Sequence, residues 1–125
     1  MVSCHIPWLS VAERILKGAH FRAMKHHASF INTARGAVVA EDEMIEVLGE
    51  RPDLFALLDV THPEPPIEGS PLFTLRNVVL TLRIAGSAGR ECHRMGKVMA
   101  DEISRYTHGV GLEYEITESQ AATMA

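Results

Sequence analysis

Phe30–Gly36 reads FINTARG, an apolar run that ends in polar and charged residues. The layout recurs in FALLDV, ending at Asp59–Val60, and in NVVLTLR, ending at Arg83. Short, continuous apolar runs suit strands buried in a parallel sheet. In an open α/β sheet ligands bind at the carboxyl ends of the strands, where strand ends and helix starts share a crevice. The row Arg35, Asp59 and Arg83 therefore marks a candidate site.

Working outward, the chain alternates strand and helix. Val2–Ile6 reads as a first strand stopped by Pro7. Ser10–Lys25 carries helical spacing, strongest over Lys17–Met24. Ser29–Arg35 is the second strand, and Gly36 suits a tight exit. Glu41–Leu48 reads as a helix whose first turn holds Glu41, Asp42 and Glu43 at the positive end of the dipole. Gly49 and Pro52 close it. Leu54–Val60 is the third strand, followed by a loop with Pro63, Pro65, Pro66 and Pro71. Val78–Arg83 is the fourth. Ser87 is placed to cap a helix over Ala88–Tyr106, with Met95, Val98, Met99, Ile103 and Tyr106 on one core-facing side. Residues 112–125 read as a tail, with a short strand and a frayed end. The alternation predicts one α/β domain over 1–125, a partial Rossmann-like fold of about four parallel strands flanked by helices in three layers.

Composition sets bounds. A chain of 125 residues is long enough to bury a core. Its net charge of −4 argues against a nucleic-acid partner. No apolar stretch approaches a membrane span, and the start lacks the regions of a signal peptide. Cys4 and Cys92, far apart, fit free thiols in a reducing cytoplasm. The seven histidines lack metal-ligand spacing, so no metal site is expected.

In succession, HIPWLS (His5–Ser10), MKHHASFINTARGAVV (Met24–Val39), ALLDVTHPEPP (Ala56–Pro66), SPLFTLRNVVLTLRIAGS (Ser70–Ser87) and the RMG at Arg94–Gly96 resemble the D-isomer-specific 2-hydroxyacid dehydrogenases. The resemblance covers about residues 2–107 and lies in the second half of that family's NAD-binding domain. It implies an NAD(P)-dependent oxidoreductase acting on D-2-hydroxy or 2-keto acids. By the same resemblance Arg35 holds the substrate carboxylate, a task its planar fork suits. Asp59 stands near the nicotinamide carboxamide, and Glu64 partners the catalytic acid–base. Thr33, Ala34, Ala85 and Gly86 line the nicotinamide pocket, and His5 and Pro7 stand beside the adenosine part of the cofactor.

Departures from the pattern carry equal weight. The family's catalytic histidine, in TPHIAGS, is replaced in Thr81-Leu82-Arg83-Ile84-Ala85-Gly86-Ser87 by Arg83. Histidine shuttles protons near neutral pH, whereas arginine stays protonated and cannot. Arg83 could still pair with Glu64 and steady an oxyanion. The family's Gly-rich dinucleotide turn and separate substrate domain have no counterpart here. The expectation is a truncated remnant with weak or no activity alone, whose open first strand pairs two copies into a homodimer. The alternative is a non-catalytic α/β domain that self-associates without cofactor turnover. Each site residue also has a plainer reading: a strand-end arginine is often a surface ion pair, and Asp59 could simply cap the next turn.

Overall fold

The computed structural model describes residues 1–81 and 83–124. Leu82, which the sequence places in the fourth strand, and Ala125, at the end of the tail, lie outside the described residues. The described residues group into two compact units, Met1–Ala85 and Gly86–Met124.

The first unit is built on a four-stranded parallel sheet, β1 (Val2–Cys4), β2 (Ser29–Asn32), β3 (Phe55–Leu58) and β4 (Val78–Leu80), in spatial order β1-β2-β3-β4. The apolar runs thus form strands in the expected order. The register aligns Phe30 with Ala56 and Val78, and Asn32 with Cys4, Leu58 and Leu80. With a side-chain period of 2, these residues share one face. Cys4, Phe30, Asn32, Ala56 and Leu58 on it are buried, while Ile31 and Leu57 opposite are half-buried and Phe55 and Val79 exposed. The core also takes Phe21, which meets Phe30 edge to face with centroids 5.0 Å apart. Helix α1 (Gly18–Arg22) and helix α2 (Glu41–Glu50) flank the sheet, and Met44, Val47 and Leu48 of α2 are buried.

The helix expected over Ser10–Lys25 is interrupted. Only a 3-10 turn at Ser10–Ala12 and the short α1 are helical. Between them the chain turns at Glu13–Arg14, with φ of 53° at Arg14, and pairs with the segment after β2: Arg14 N donates to Ala37 O, Leu16 N to Val38 O, and Ala40 N to Leu16 O. Backbone pairing with the segment after β2 overrides the local helical pattern, as tertiary context often does. Strand ladder bonds continue past the named ends: Asp59 N donates to Asn32 O and Thr81 N to Leu58 O. Asp59 and Thr81 therefore stand at the rim of the sheet.

In the second unit, helix α3 (Arg90–Thr107) begins after Gly89 rather than Ser87 and has no side-chain cap. Ser87 Oγ instead lies 2.9 Å from Met95 Sδ. Met95, Met99, Ile103 and Tyr106 are exposed, contrary to their expected place in a core. The return segment covers a neighbouring line of α3 that shares only Val98 with the expected side. Glu102 accepts from the N–H groups of Glu113 and Tyr114, and Arg105 pairs with Glu113 at 3.2 Å. Val98, Glu102 and Arg105, at i, i+4 and i+7, are the half-buried positions of that line. Among the described residues the tail forms no strand, and it holds a short helix, Glu118–Ala121, where the sequence suggested a short strand followed by a frayed end. Among the described residues no helix is long and apolar enough to cross a membrane.

Candidate functional site

The carboxyl edge of the sheet gathers four loops of the first unit: His5–Pro7 after β1, Thr33–Arg35 after β2, Asp59–Glu64 after β3, and Thr81 with Arg83–Ala85 after β4. Gly86, also expected at the site, opens the second unit.

The loop after β2 is shaped by Asn32. This residue is 1% exposed; its Nδ2 donates to Arg35 O at 3.1 Å, and its Oδ1 accepts from Ala34 N at 3.1 Å. The side chain closes a turn on its own backbone, the habit of asparagine at strand ends. Arg35 follows in extended conformation, half-buried, with Nη1 on Ala34 O at 2.8 Å. It forms no ion pair among the described residues, unlike Arg14, Arg22, Arg51 and Arg83. Arg35 lines a recess of about 230 Å³ with His5, Ile6, Pro7 and Ala34.

Gly36 then passes against the backbone after β3. A Cβ added there would stand 2.1 Å from both the carbonyl carbon and oxygen of Thr61. The glycine is required by this close approach, not by a left-handed backbone. It sets the Arg35 loop directly on the loop that carries Glu64. That second loop is also tied to α2, since His62 N donates to Glu41 Oε2 at 2.9 Å. Burial pushes the Glu41 carboxyl up from its ordinary value, against the downward pull of the His62 bond. Trp8 meets the His62 ring edge to face at 5.8 Å.

Asp59 is 3% exposed and fully engaged within the chain. Oδ1 accepts from the Thr81 hydroxyl and from Ile84 N at 2.8 Å, and Oδ2 accepts from Ala85 N at 3.0 Å. Burial works against its charge. The bonds from Thr81, Ala85 and Ile84, together with the Arg83 charge, outweigh burial and hold the carboxyl below its ordinary value.

Arg83 has a left-handed backbone, with φ of 53°, and its Nη1 donates to Glu64 Oε2 at 2.6 Å. The two side chains are about half exposed, at 53% and 40%, so solvent screening leaves the pair worth little to stability. Its interest is positional. The pair borders a cavity of about 410 Å³ whose apolar wall includes Val60, Pro65, Pro66, Phe73 and Leu80. A cavity of that size, mostly apolar with a few convergent polar groups, has the character of a small-molecule site.

Of the three residues expected to act together, the structure thus joins Glu64 and Arg83, while Arg35 faces the adjoining recess with His5, Pro7 and Ala34. The N–H groups of Ala34 and Ala85, expected to line a cofactor pocket, are taken up by Asn32 and Asp59. Sequence reasoning passed over Asn32, Thr81 and the role of Thr61. Asparagine at a strand end is a readable signal; the approach of Gly36 to Thr61 is not, because it joins distant segments.

The residues fit the nicotinamide end of a dinucleotide better than its phosphates. Recesses at the carboxyl edge offer apolar walls and fixed charges. The helix start after β2, by contrast, presents Glu41, Asp42 and Glu43, which repel a phosphate rather than cradle it.

The model of the D-isomer specific 2-hydroxyacid dehydrogenase NAD binding domain matches residues 1–85. A D-3-phosphoglycerate dehydrogenase of Archaeoglobus fulgidus is 30% identical over 110 residues, which are 88% of this chain and 21% of that protein. The human glyoxylate reductase/hydroxypyruvate reductase is 34% identical over 96 residues, 77% of this chain and 29% of that protein. The chain therefore spans between a fifth and a third of the length of these relatives. Among solved structures, the TT0316 protein of Thermus thermophilus superposes with a TM-score of 0.82 at 34% identity, covering 93% of this chain and 37% of that one. The holo form of Rhodotorula graminis D-mandelate dehydrogenase gives 0.83 at 30% identity, covering 94% and 34%. With four parallel strands in sequential order and the family model matching residues 1–85, the chain belongs to the D-isomer specific 2-hydroxyacid dehydrogenase family, in its NAD-binding domain.

Proposed function

We propose that the carboxyl edge is the nicotinamide- and substrate-facing part of a D-2-hydroxyacid dehydrogenase site in which anion binding is kept and proton transfer is weak. The observation that carries this reading is the Arg83–Glu64 pair, read through the resemblance that assigns these two positions to the family's acid–base couple. A bound nicotinamide would supply or accept hydride at the 2-carbon. NAD and NADP are both compatible with the residues present. By the resemblance, Thr33, Ala34, Asp59 and Ala85 would hold the nicotinamide end, and His5 and Pro7 would stand toward the rest of the cofactor. Arg35, without a carboxylate partner among the described residues, is available to grip the carboxylate of a 2-keto or 2-hydroxy acid through two parallel bonds. Arg83 places a permanent positive charge beside the 2-oxygen and neutralises Glu64. It steadies an oxyanion but neither gives nor takes the proton that reduction or oxidation at that oxygen requires. Loss of a general acid–base lowers a rate on the order of 10²–10⁴-fold.

The test is NADH fluorescence titration, followed by assays of glyoxylate and hydroxypyruvate reduction, with the chain as it stands and with Arg83→His. The variant is expected to gain rate on the order of 10²-fold or more, with little change in affinity for the keto acid. A parent chain that turns over as fast as Arg83→His would remove the reading. Failure of both to bind NADH would favour the non-catalytic, self-associating domain.

A further inference from the structure

We propose that the turn Arg83–Ala85 is a carboxylate-binding nest whose ligand is the chain's own Asp59, and that Asp59 is thereby the positioning residue for Arg83. Backbone N–H groups that converge beside a left-handed residue form a concavity suited to an anion. Here Arg83 is that residue, with φ of 53°. The next two amides, Ile84 and Ala85, both point inward onto the Asp59 carboxylate at 2.8 and 3.0 Å. Thr81, on the other side of the turn, adds its hydroxyl.

A buried carboxylate is costly unless its lone pairs are met, and three donors on two oxygens meet that need. A non-glycine residue at positive φ is costly in turn, and persists where its surroundings over-determine it. Each feature explains the other: the carboxylate holds the turn, and the turn satisfies the carboxylate. The consequence is directional. With its following amides fixed inward, Arg83 extends its guanidinium outward to Glu64 at 2.6 Å. Asp59 therefore acts through Arg83, and its oxygens are engaged within the protein. The nest stands independently of the proposed reaction; only the use made of Arg83 rests on that reading.

Chemical rescue tests the idea on the full chain. Asp59→Ala empties the nest, and formate is the probe, against chloride at equal ionic strength. In the parent the Ile84 and Ala85 amides are expected to exchange at least about tenfold more slowly than unprotected loop amides. In Asp59→Ala that protection is lost and the Arg83 Nε–H resonance shifts toward that of a free guanidinium. Formate, and not chloride, restores both and raises the thermal midpoint; the parent does not respond. A folded Asp59→Ala chain on which formate acts no differently from chloride overturns the proposal. If Asp59→Ala does not fold, the parent and Asp59→Asn decide it. Unprotected Ile84 and Ala85 amides in the parent, or unchanged protection at both in Asp59→Asn, overturn it. Protected amides in a parent that binds neither NADH nor keto acid would leave the nest standing and remove the proposed function alone.

Discussion

Replacing Gly36 by alanine is the sharpest test of how the site is assembled. The added methyl would lie 2.1 Å from Thr61 C and O and 2.7 Å from His62 N. Ordinary contact begins near 3.4 Å, so the two backbones must part by about 1.3 Å. Neither can yield easily. Thr61 follows the β3 end held by Asp59 N on Asn32 O, and His62 is tied to Glu41. Overpacking that displaces backbone costs about 3 kcal/mol. In a unit of this size that lowers the melting midpoint on the order of 10–20 °C. Gly49 is the internal control, because a Cβ there meets nothing within 4 Å and the residue sits in α2. Gly49→Ala should stabilise by about 0.5–1 kcal/mol through helix propensity. Thermal unfolding followed by circular dichroism reads both. A Gly36→Ala midpoint within about 3 °C of the parent would refute the close-approach argument, since overpacking of that kind cannot be so mild. So would a larger loss from Gly49→Ala.

Asn32→Ala removes both bonds that shape the Arg35 turn and leaves Ala34 N and Arg35 O without partners. A loss of about 2–4 kcal/mol in urea unfolding is expected, and a loss under about 0.5 kcal/mol would show that the turn holds itself. The pH profile follows from opposed carboxylates. Glu41 is raised above its ordinary 4.5, so the native state binds the extra proton and stability rises as pH falls from neutral toward 4.5. Asp59 is lowered from 3.8, and Asp53 well below it, so their contribution is present above 3.8 and is lost as pH falls through their native values. Urea midpoints between pH 7 and 5 should rise for the parent and stay flat for Glu41→Gln; identical slopes would exclude Glu41 as the source. The open edge at β1, where Val2 and Ser3 are exposed, is proposed to pair with its copy, so light scattering at tens of micromolar should give twice the chain mass, and a monomer would end that proposal.

The strands were legible because each is a short apolar run whose polar end lies at one sheet edge, and that pattern depends on local sequence alone. Arg83 facing Glu64 was legible only through the family resemblance, which sets an acid beside the position that Arg83 takes; by itself Glu64 reads as a solvated loop residue. The plainer reading of Asp59, as a cap on the next turn, does not describe its contacts: its carboxylate holds the turn after β4 through Thr81, Ile84 and Ala85. Contacts joining distant segments stayed hidden. The pairing of Leu16 with Val38 and Ala40 broke a helix that the apolar spacing favoured, and the seat of Gly36 on Thr61 leaves no mark in either stretch. The apolar side of α3 misled because amphipathic spacing reports what a helix can bury, not what its own chain supplies to cover it.

The first turn of α2 does more than satisfy a dipole. Glu41 takes His62 N, Asp42 takes Arg14 Nη2 at 2.7 Å, and Glu43 takes Gly18 N at 2.8 Å. Three successive acids thus fasten two segments that are remote in sequence, Arg14–Gly18 and the loop at His62. Segments fastened to one helical turn open as one cooperative unit. The amides of Gly18 and His62 should accordingly share one opening free energy in native-state hydrogen exchange, although 44 positions separate them in the chain. Fraying of that single turn would release the approach to the edge from both sides at once.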